Sequence, residues 1–235
     1  PTVKRLSLEL GGNAPFIVFD DADLDQAVEG AMASKFRNGG QTCVCANRLL
    51  VQSGIHDAFV ARLAARVDAL KVGPGTEAGT DIGPMINMAA LDKINRHVDD
   101  AISKGAERAT VARNLDGQYA DPVVLTGATV AMQLASEETF GPVAPIFRFE
   151  TEEEAIGVAN STPFGLAAYF YTRDLARAFR VGEALEFGLI GLNSGGVSTE
   201  VAPFGGVKTS GLGREGGLEG IEEYLETKAM HIGGL

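Results

Sequence analysis

Residues 16–24 read FIVFDDADL, and this stretch indicates the class of fold. Its first four residues form a continuous apolar run, which is typical of a strand buried on both faces of a parallel sheet. Asp20, Asp21 and Asp23 follow, and acidic residues are favoured at the cap and in the first turn of a helix. Apolar residues then recur at helical spacing up to Phe36. We therefore expect a buried strand that leads directly into an amphipathic helix.

The same alternation of strand and helix continues along the chain. After a short strand at 6–10, further strands are predicted at 48–52, 122–125, 143–149, 166–172 and 189–193. Helices are predicted at 55–70, 87–104, 152–159 and 175–185. This order favours an α/β fold with a mostly parallel, helix-flanked sheet. Residues 225–232 are predicted to form an extended tail, and an unpaired terminal strand of this kind is a candidate oligomer contact.

Composition excludes several classes of function. The chain has 235 residues, 45% of them apolar, and a formal net charge of −11. This charge argues against nucleic acid or an anionic membrane as a partner, and no apolar run is long enough to span a bilayer. Two cysteines one residue apart provide no disulfide framework, which favours a reducing compartment such as the cytoplasm. Residues 1–5 contain neither an initiator Met nor a signal peptide, so we expect the chain to be part of a longer protein.

Both cysteines lie in residues 36–48, which read FRNGGQTCVCANR. Cys43 follows a glycine-rich turn, where backbone N–H groups are free to point at the sulfur. Such a setting is expected to favour the thiolate, which is the nucleophilic form of cysteine. The alternative is that Cys43 and Cys45 are two small buried hydrophobic residues on a strand.

Two charged residues are further candidates for a functional site. Glu9 ends a predicted strand before two glycines, and ligands of open α/β sheets gather at the carboxyl ends of strands. A partly buried carboxylate there is suited to act as a general base; the alternative is a surface acid beside a turn. Arg37 lies six positions before Cys43 and is suited to bind a substrate carboxylate. Its alternative role is to stabilise a helix C-terminus.

The remaining motifs are weaker. Residues 137–142 combine two acids, an aromatic residue and a Gly-Pro turn; such a glutamate is suited to accept hydrogen bonds from ribose hydroxyls, or is a solvated acid in a loop. The glycines of residues 203–214 do not have the spacing of a dinucleotide-binding fingerprint. A metal site is not expected, since the three histidines are scattered and a single Cys-x-Cys supplies at most two ligands.

Taken together, these motifs resemble the aldehyde dehydrogenase superfamily. The matching stretches are ELGG at 9–12, GQTC at 40–43, ETFGP at 138–142, Asn193 and PFGG at 203–206, in the order and spacing of that family. The residues on either side of the cysteine turn, FRN at 36–38 and CVCANR at 43–48, resemble the succinate-semialdehyde dehydrogenase branch. The substrate of that branch carries a carboxylate at the end remote from the aldehyde.

The resemblance implies a mechanism and a set of site residues. Cys43 would attack the aldehyde to give a thiohemiacetal, hydride loss to NAD or NADP would leave a thioester, and Glu9 would activate the water that hydrolyses it. The other implied roles are cofactor binding by Leu10, Glu138 and Phe140 and substrate binding by Arg37, Ser198 and Phe204. Thiol chemistry, apart from the resemblance, predicts that oxidised Cys43 condenses with Cys45, two residues away; the alternative is that Cys45 is only a small buried packing residue.

The resemblance also implies how the chain is divided. Residues 1–10 would be the end of a cofactor domain, residues 11–222 the catalytic domain and residues 223–235 an oligomerisation tail of a cytoplasmic homodimer or homotetramer. Most of the cofactor site would lie in a preceding half, so NAD and NADP are not distinguished and the chain alone is expected to be inactive. Two alternatives stay open: a sibling enzyme for another acid-bearing aldehyde such as glutarate semialdehyde, and a non-catalytic, self-associating fragment.

Overall fold

The computed structural model describes residues 2–234. The strands are β1 Leu8–Glu9, β2 Ala14–Val18, β3 Ala46–Gln52, β4 Glu107–Arg108, β5 Val123–Thr126, β6 Val143–Phe149, β7 Phe164–Gly165, β8 Ala167–Tyr171, β9 Leu189–Leu192, β10 Val207–Lys208 and β11 Gly211–Leu212. The α-helices are α1 Leu24–Lys35, α2 His56–Asp68, α3 Met88–Ser103, α4 Gln133–Ser136, α5 Glu152–Asn160 and α6 Leu175–Ala184. Two 3₁₀ helices lie at Arg37–Gly40 and Glu219–Tyr224.

Seven strands form the main sheet in the order β4-β5-β6-β3-β2-β8-β9. All neighbouring pairs are parallel except β4–β5 at one edge. The alternation of strand and helix is the reason, because each right-handed crossover returns the chain to the same end of the sheet. The predicted helix-flanked, mostly parallel α/β fold is therefore confirmed.

The continuous apolar run at residues 16–19 is explained by the two layers of helices. Phe16 and Val18 pack with residues of α1 and α2 on one face of the sheet. Ile17 and Phe19 pack with residues of α3, α5 and α6 on the other face. Since successive side chains of a strand point to opposite faces, a strand covered on both sides needs apolar residues at every position.

The three predicted capping acids have three different roles. Only Asp23 caps α1, where its carboxylate accepts a hydrogen bond from the Gln26 N–H at 3.1 Å. Asp20 accepts from the Ile55 N–H at 3.1 Å, at the start of α2. Asp21 accepts from the Thr172 hydroxyl at 2.8 Å and joins the end of β8 to the start of α1. Local sequence predicted that an aspartate caps α1 but not which of the three aspartates does so.

Two short ribbons lie apart from the main sheet. β1 pairs with β11 and β7 pairs with β10, both antiparallel. Residues 225–234 form no helix or strand and are exposed, so the C-terminal strand expected for oligomerisation is not observed there. Pro1 and Leu235, the outermost residues of the predicted segments 1–10 and 223–235, lie outside the described residues.

The helices just described lie within residues 2–234. Within that range, each helix is too short or too polar to cross a bilayer.

Candidate functional site

Three loops meet at one edge of the main sheet. Residues 9–13 precede β2, residues 41–45 precede β3 and residues 137–142 precede β6. Parallel strands begin at a common edge, and β2–β3–β6 are neighbours, so these loops are brought together. The expectation that Glu9 marks the carboxyl ends of the strands was wrong. Glu9 ends β1, which pairs outside the main sheet, and the site lies at the amino ends.

Cys43 and Glu9 face each other at this edge. The Cys43 thiol donates to the carboxylate of Glu9, with Sγ 3.9 Å from Oε2. Cys43 lies in a turn closed by the Cys45 N–H, which donates to the Thr42 carbonyl at 3.1 Å. The strand begins only at Ala46, so Cys43 is a half-buried turn residue and not a strand residue.

The electrostatics of this pair contradict the expectation that Cys43 rests as a thiolate. Burial raises the pKa of Cys43, and the Glu9 carboxylate raises it further, whereas the backbone N–H groups of Cys43 and Val44 lower it. Burial also raises the pKa of Glu9, with a further contribution from Glu215, while the bond from Cys43 lowers it. The resting pair is therefore a protonated thiol beside a carboxylate that is suited to take its proton.

One oxygen of Glu9 is left without a protein partner. Oε1 is buried, and within residues 2–234 no group donates a hydrogen bond to it. A buried polar atom without a partner is costly unless water or a ligand satisfies it. This oxygen is thus suited to bind and activate a water molecule next to the Cys43 sulfur.

The two glycines after Glu9 allow the close approach of the three loops. A Cβ on Gly12 would lie 2.5 Å from the Cys43 carbonyl oxygen, and a Cβ on Gly11 would lie 2.6 Å from Oε2 of Glu138. The Gly12 N–H donates to Oε1 of Glu138 at 2.9 Å. Any side chain at these two positions would force the nucleophile turn or Glu138 to move.

Ser210 holds the two residues that directly follow Glu9. Its hydroxyl donates to the Gly11 carbonyl at 2.7 Å and accepts from the Gly165 N–H at 2.9 Å. Its own carbonyl accepts from the Leu10 N–H at 3.0 Å. Sequence analysis missed this residue because its function depends on a contact between segments about 200 positions apart in the chain.

Glu138, Leu10 and Phe140 lie at the same edge. Burial raises the pKa of Glu138, whereas the Gly12 N–H and the charges of Lys93 and Lys35 lower it. The Leu10 side chain is exposed, and Phe140 is half-buried with a left-handed φ of 56°. A carboxylate acceptor beside two apolar side chains suits the ribose and the planar ring of a nicotinamide, so these residues fit that end of a dinucleotide.

The predicted substrate residues are less closely gathered. Arg37 lies in the 3₁₀ turn after α1 and is exposed, and its charge lowers the pKa of Cys45 and of Tyr169, so it lies near the cysteine turn. Phe204 is half-buried and its backbone pairs with Glu215, whose charge acts on Glu9. Ser198 lies in an exposed loop after β9, and among residues 2–234 no hydrogen bond joins its side chain to Cys43 or Glu9.

Cys45 has partners of its own. It is fully buried, and its thiol donates to the Lys35 carbonyl at 3.3 Å. The buried Lys35 ammonium lies 3.4 Å from the Cys45 sulfur and donates to Oδ1 of Asn47 at 2.9 Å. Burial raises the pKa of Cys45, and the charge of Lys35 lowers it. Sequence analysis missed Lys35, because its position among the apolar residues of α1 is visible only as a break in the pattern.

No metal centre is evident in the part of the chain that is described. Within residues 2–234, no three His, Cys, Asp or Glu side chains are grouped so as to hold an ion.

Comparison with known proteins places this geometry in context. The model of the aldehyde dehydrogenase family matches residues 1–230. The chain is 57% identical over 230 residues to a glutarate-semialdehyde dehydrogenase of Pseudomonas putida, covering 98% of this chain and 48% of that protein. It is 58% identical over 233 residues to the succinate-semialdehyde dehydrogenase [NADP(+)] GabD of Escherichia coli, covering 98% and 48%.

A solved structure is also similar to this chain in both fold and sequence. The crystal structure of an aldehyde dehydrogenase from Brucella melitensis superposes with a TM-score of 0.94 at 64% identity, over 96% of this chain and 47% of that one. The chain thus spans about half the length of the relatives it matches. Since the family model covers nearly all of its residues, the chain belongs to the aldehyde dehydrogenase family.

Proposed function

We propose that this chain is the catalytic portion of an NAD(P)-dependent dehydrogenase that oxidises succinate semialdehyde to succinate. The observation that carries the proposal is the contact of the Cys43 thiol with the Glu9 carboxylate at 3.9 Å, beside a buried carboxylate oxygen that lacks a protein partner. The names of the relatives from Escherichia coli and Pseudomonas putida support a semialdehyde as the substrate.

The first step forms a bond between Cys43 and the substrate. Glu9 takes the thiol proton as the sulfur attacks the aldehyde carbon, and the aldehyde oxygen becomes the oxyanion of a thiohemiacetal. The Cys43 backbone N–H is suited to donate to that oxyanion, together with a donor from outside this chain. Because the resting thiol is protonated, a base assists this step, and solvent water can take the thiol proton when Glu9 is replaced.

The second step leaves an acyl group on the sulfur. When it is bound, the nicotinamide supplies an acceptor for the hydride that leaves the thiohemiacetal carbon, and the C=O double bond of a thioester forms. Glu9 releases the thiol proton to solvent and then takes a proton from water, and the hydroxide adds to the thioester carbon. The C–S bond breaks, the carboxylic acid product leaves and the Cys43 sulfur regains a proton.

Glu138, Leu10 and Phe140 would hold the nicotinamide end of the cofactor. The carboxylate of Glu138 would accept hydrogen bonds from ribose hydroxyls, and the two apolar side chains would border the ring. Residues 2–234 contain no phosphate-binding glycine turn of the expected spacing, so the rest of the cofactor site would lie in a preceding half. Both NAD and NADP stay open as the cofactor.

Arg37, Ser198 and Phe204 would bind the remote end of the substrate. The Arg37 guanidinium is suited to a carboxylate because it presents paired N–H donors. Glutarate semialdehyde is a second candidate substrate, favoured by the name of the Pseudomonas putida relative. It carries the same carboxylate on a chain longer by one methylene, so the depth of the substrate tunnel would decide between them.

The division of the chain and its assembly belong to the same proposal. Residues 1–10 would end a cofactor domain, 11–222 would form the catalytic domain and 223–235 an oligomerisation tail of a cytoplasmic homodimer or homotetramer. The exposed apolar side chains of Met230 and Ile232 support a contact of this tail with a second copy. A non-catalytic, self-associating fragment is the rival interpretation.

Kinetics with the N-terminal half supplied test the proposal. We expect the wild type to reduce NAD(P) with succinate semialdehyde as substrate, and its rate is compared with the rates for glutarate semialdehyde and uncharged butanal. The Cys43→Ala variant is expected to reduce no NAD(P). Glu9→Gln is expected to give a stoichiometric burst of reduced cofactor followed by very slow turnover, because thioester hydrolysis lacks its base. Unimpaired turnover in Cys43→Ala, or unchanged steady-state turnover in Glu9→Gln, would contradict the assigned roles. Absence of activity in the wild type would favour the non-catalytic fragment.

A further inference from the structure

Helix α3 packs against residues 137–142, which we call the Glu138 loop. His97, in the middle of this helix, is completely buried. Its Nδ1 lies 3.0 Å from the hydroxyl of Thr139, and its Nε2 lies 3.2 Å from a carboxylate oxygen of Glu137. The imidazole therefore contacts the residues immediately before and after Glu138.

The hydrogen-bond partners define the state of the imidazole. A carboxylate of Glu137 only accepts, so Nε2 carries the proton and donates to it. Nδ1 is then an acceptor, and the Thr139 hydroxyl donates to it. Burial lowers the pKa of His97, against opposing contributions from Glu137, so the ring is neutral. Each ring nitrogen thus has one partner, and both partners belong to the Glu138 loop.

The contacts on either side of the loop complete the arrangement. Gly141 lies directly against Ile94, one turn before His97 on α3, with no room for a Cβ. On the other side, the Glu138 carboxylate accepts from the Gly12 N–H at 2.9 Å. Residues 137 and 139 are therefore bound to α3, while residue 138 reaches the loop that follows Glu9. Phe140 follows with a left-handed φ of 56°, a conformation that a bulky residue adopts only when its surroundings enforce it.

We propose that His97 is a positioning residue that holds Thr139 and Glu137 so that Glu138 and Phe140 are presented to the cofactor. The part of this inference that concerns the cofactor rests on the proposed function. The part that concerns the placement of Glu138 rests only on the contacts of His97, Thr139 and Gly12.

The placement of Glu138 is tested in this chain by hydrogen exchange of the Gly12 amide, which Glu138 protects. Thr139→Val removes the donor to Nδ1 at nearly constant volume, and Thr139→Ser retains it. We expect about tenfold faster exchange of the Gly12 amide in Thr139→Val, no change in Thr139→Ser, and no change for the amide of Leu49 in β3. Thr172→Val is the matched control, since it also removes a buried threonine hydroxyl, but at the carboxyl end of β8 and so at the opposite edge of the sheet from this loop.

A double-mutant cycle tests whether the effect of Thr139→Val depends on its contact with His97. His97→Phe combined with Thr139→Val should exchange at Gly12 no faster than the more affected single variant, because both remove the same contact. An unchanged Gly12 rate in folded Thr139→Val would overturn the proposal. Equal acceleration at Gly12 and Leu49 would also overturn it, because it would indicate general loss of stability.

The cofactor part is tested with the N-terminal half supplied. Thr139→Val should raise the KM for NAD(P) about tenfold, while Cys43-dependent ester hydrolysis without cofactor stays unchanged, and Thr139→Ser should restore the KM. A KM unchanged by Thr139→Val would overturn the cofactor role of His97. Failure of the wild type to bind nucleotide would overturn the proposed function instead, while the Gly12 exchange rate would still decide the placement of Glu138.

Discussion

Replacing Glu9 with Gln should make Cys43 react faster with a neutral alkylating reagent. The Glu9 carboxylate raises the pKa of the thiol that it faces at 3.9 Å, so removal of its charge favours the thiolate. At this distance two unit charges interact by about 1 kcal/mol in water and about 4 kcal/mol at an effective dielectric constant of about 20. The site is half-exposed, so solvent screening favours the lower figure. An energy of about 1 kcal/mol corresponds to about a fivefold larger thiolate population at neutral pH.

The assay is the second-order rate of alkylation by iodoacetamide in the 235-residue chain, followed by mass spectrometry. Gln is the suitable replacement because it keeps the size of Glu9 and an acceptor for the thiol. Cys43→Ser is the control, since the fully buried Cys45 should not react on the same time scale. The ratio between variant and wild type should fall towards one as the pH drops through the raised pKa of Glu9, because protonated Glu9 carries no charge. Equal or slower alkylation of Glu9→Gln at neutral pH would refute the reasoning.

Three further predictions concern the substrate, the cofactor and the second cysteine. With the N-terminal half supplied, Arg37→Ala should lower kcat/KM for succinate semialdehyde by about 2–5 kcal/mol of transition-state binding, while kcat/KM for butanal stays almost unaffected. Equal losses for the two aldehydes would indicate that Arg37 only stabilises the helix C-terminus. The 235-residue chain alone should show no binding of NAD or NADP by calorimetry. A micromolar Kd would contradict the proposal that most of the cofactor site lies in a preceding half. After mild peroxide, the peptide that contains Cys43 and Cys45 should lose two hydrogens, and dithiothreitol should reverse the loss. The rate of disulfide formation should be limited by the rate at which the Cys45 thiol leaves the Lys35 carbonyl. Sulfinic acid at Cys43 in both wild type and Cys45→Ala would contradict this pairing.

Local sequence predicted the strands of the main sheet except the two-residue edge strand β4. The predicted strand at 143–149 coincides with β6, and the predicted helix at 87–104 differs from α3, Met88–Ser103, by one residue at each end. These elements are long and strongly patterned, and the pattern reflects burial by the helix layers. Of the two-residue ribbon strands, β1 lies within the strand predicted at 6–10. The strands β7, β10 and β11 were not predicted, because so short a segment carries no periodicity.

The sequence by itself determined which residue types the site needs: a cysteine on a glycine-rich turn, a glutamate before two glycines and a second glutamate before Phe-Gly-Pro. Only the tertiary structure decided where they meet and in which state they rest. Three loops, distant in the chain, converge at the amino ends of β2, β3 and β6, and the carboxylate of Glu9 raises the pKa of Cys43 where the turn alone had suggested a thiolate. The physical reason is that a turn is set by its own residues, whereas burial and neighbouring charge depend on segments distant in the chain, such as those of Glu9 and Glu215.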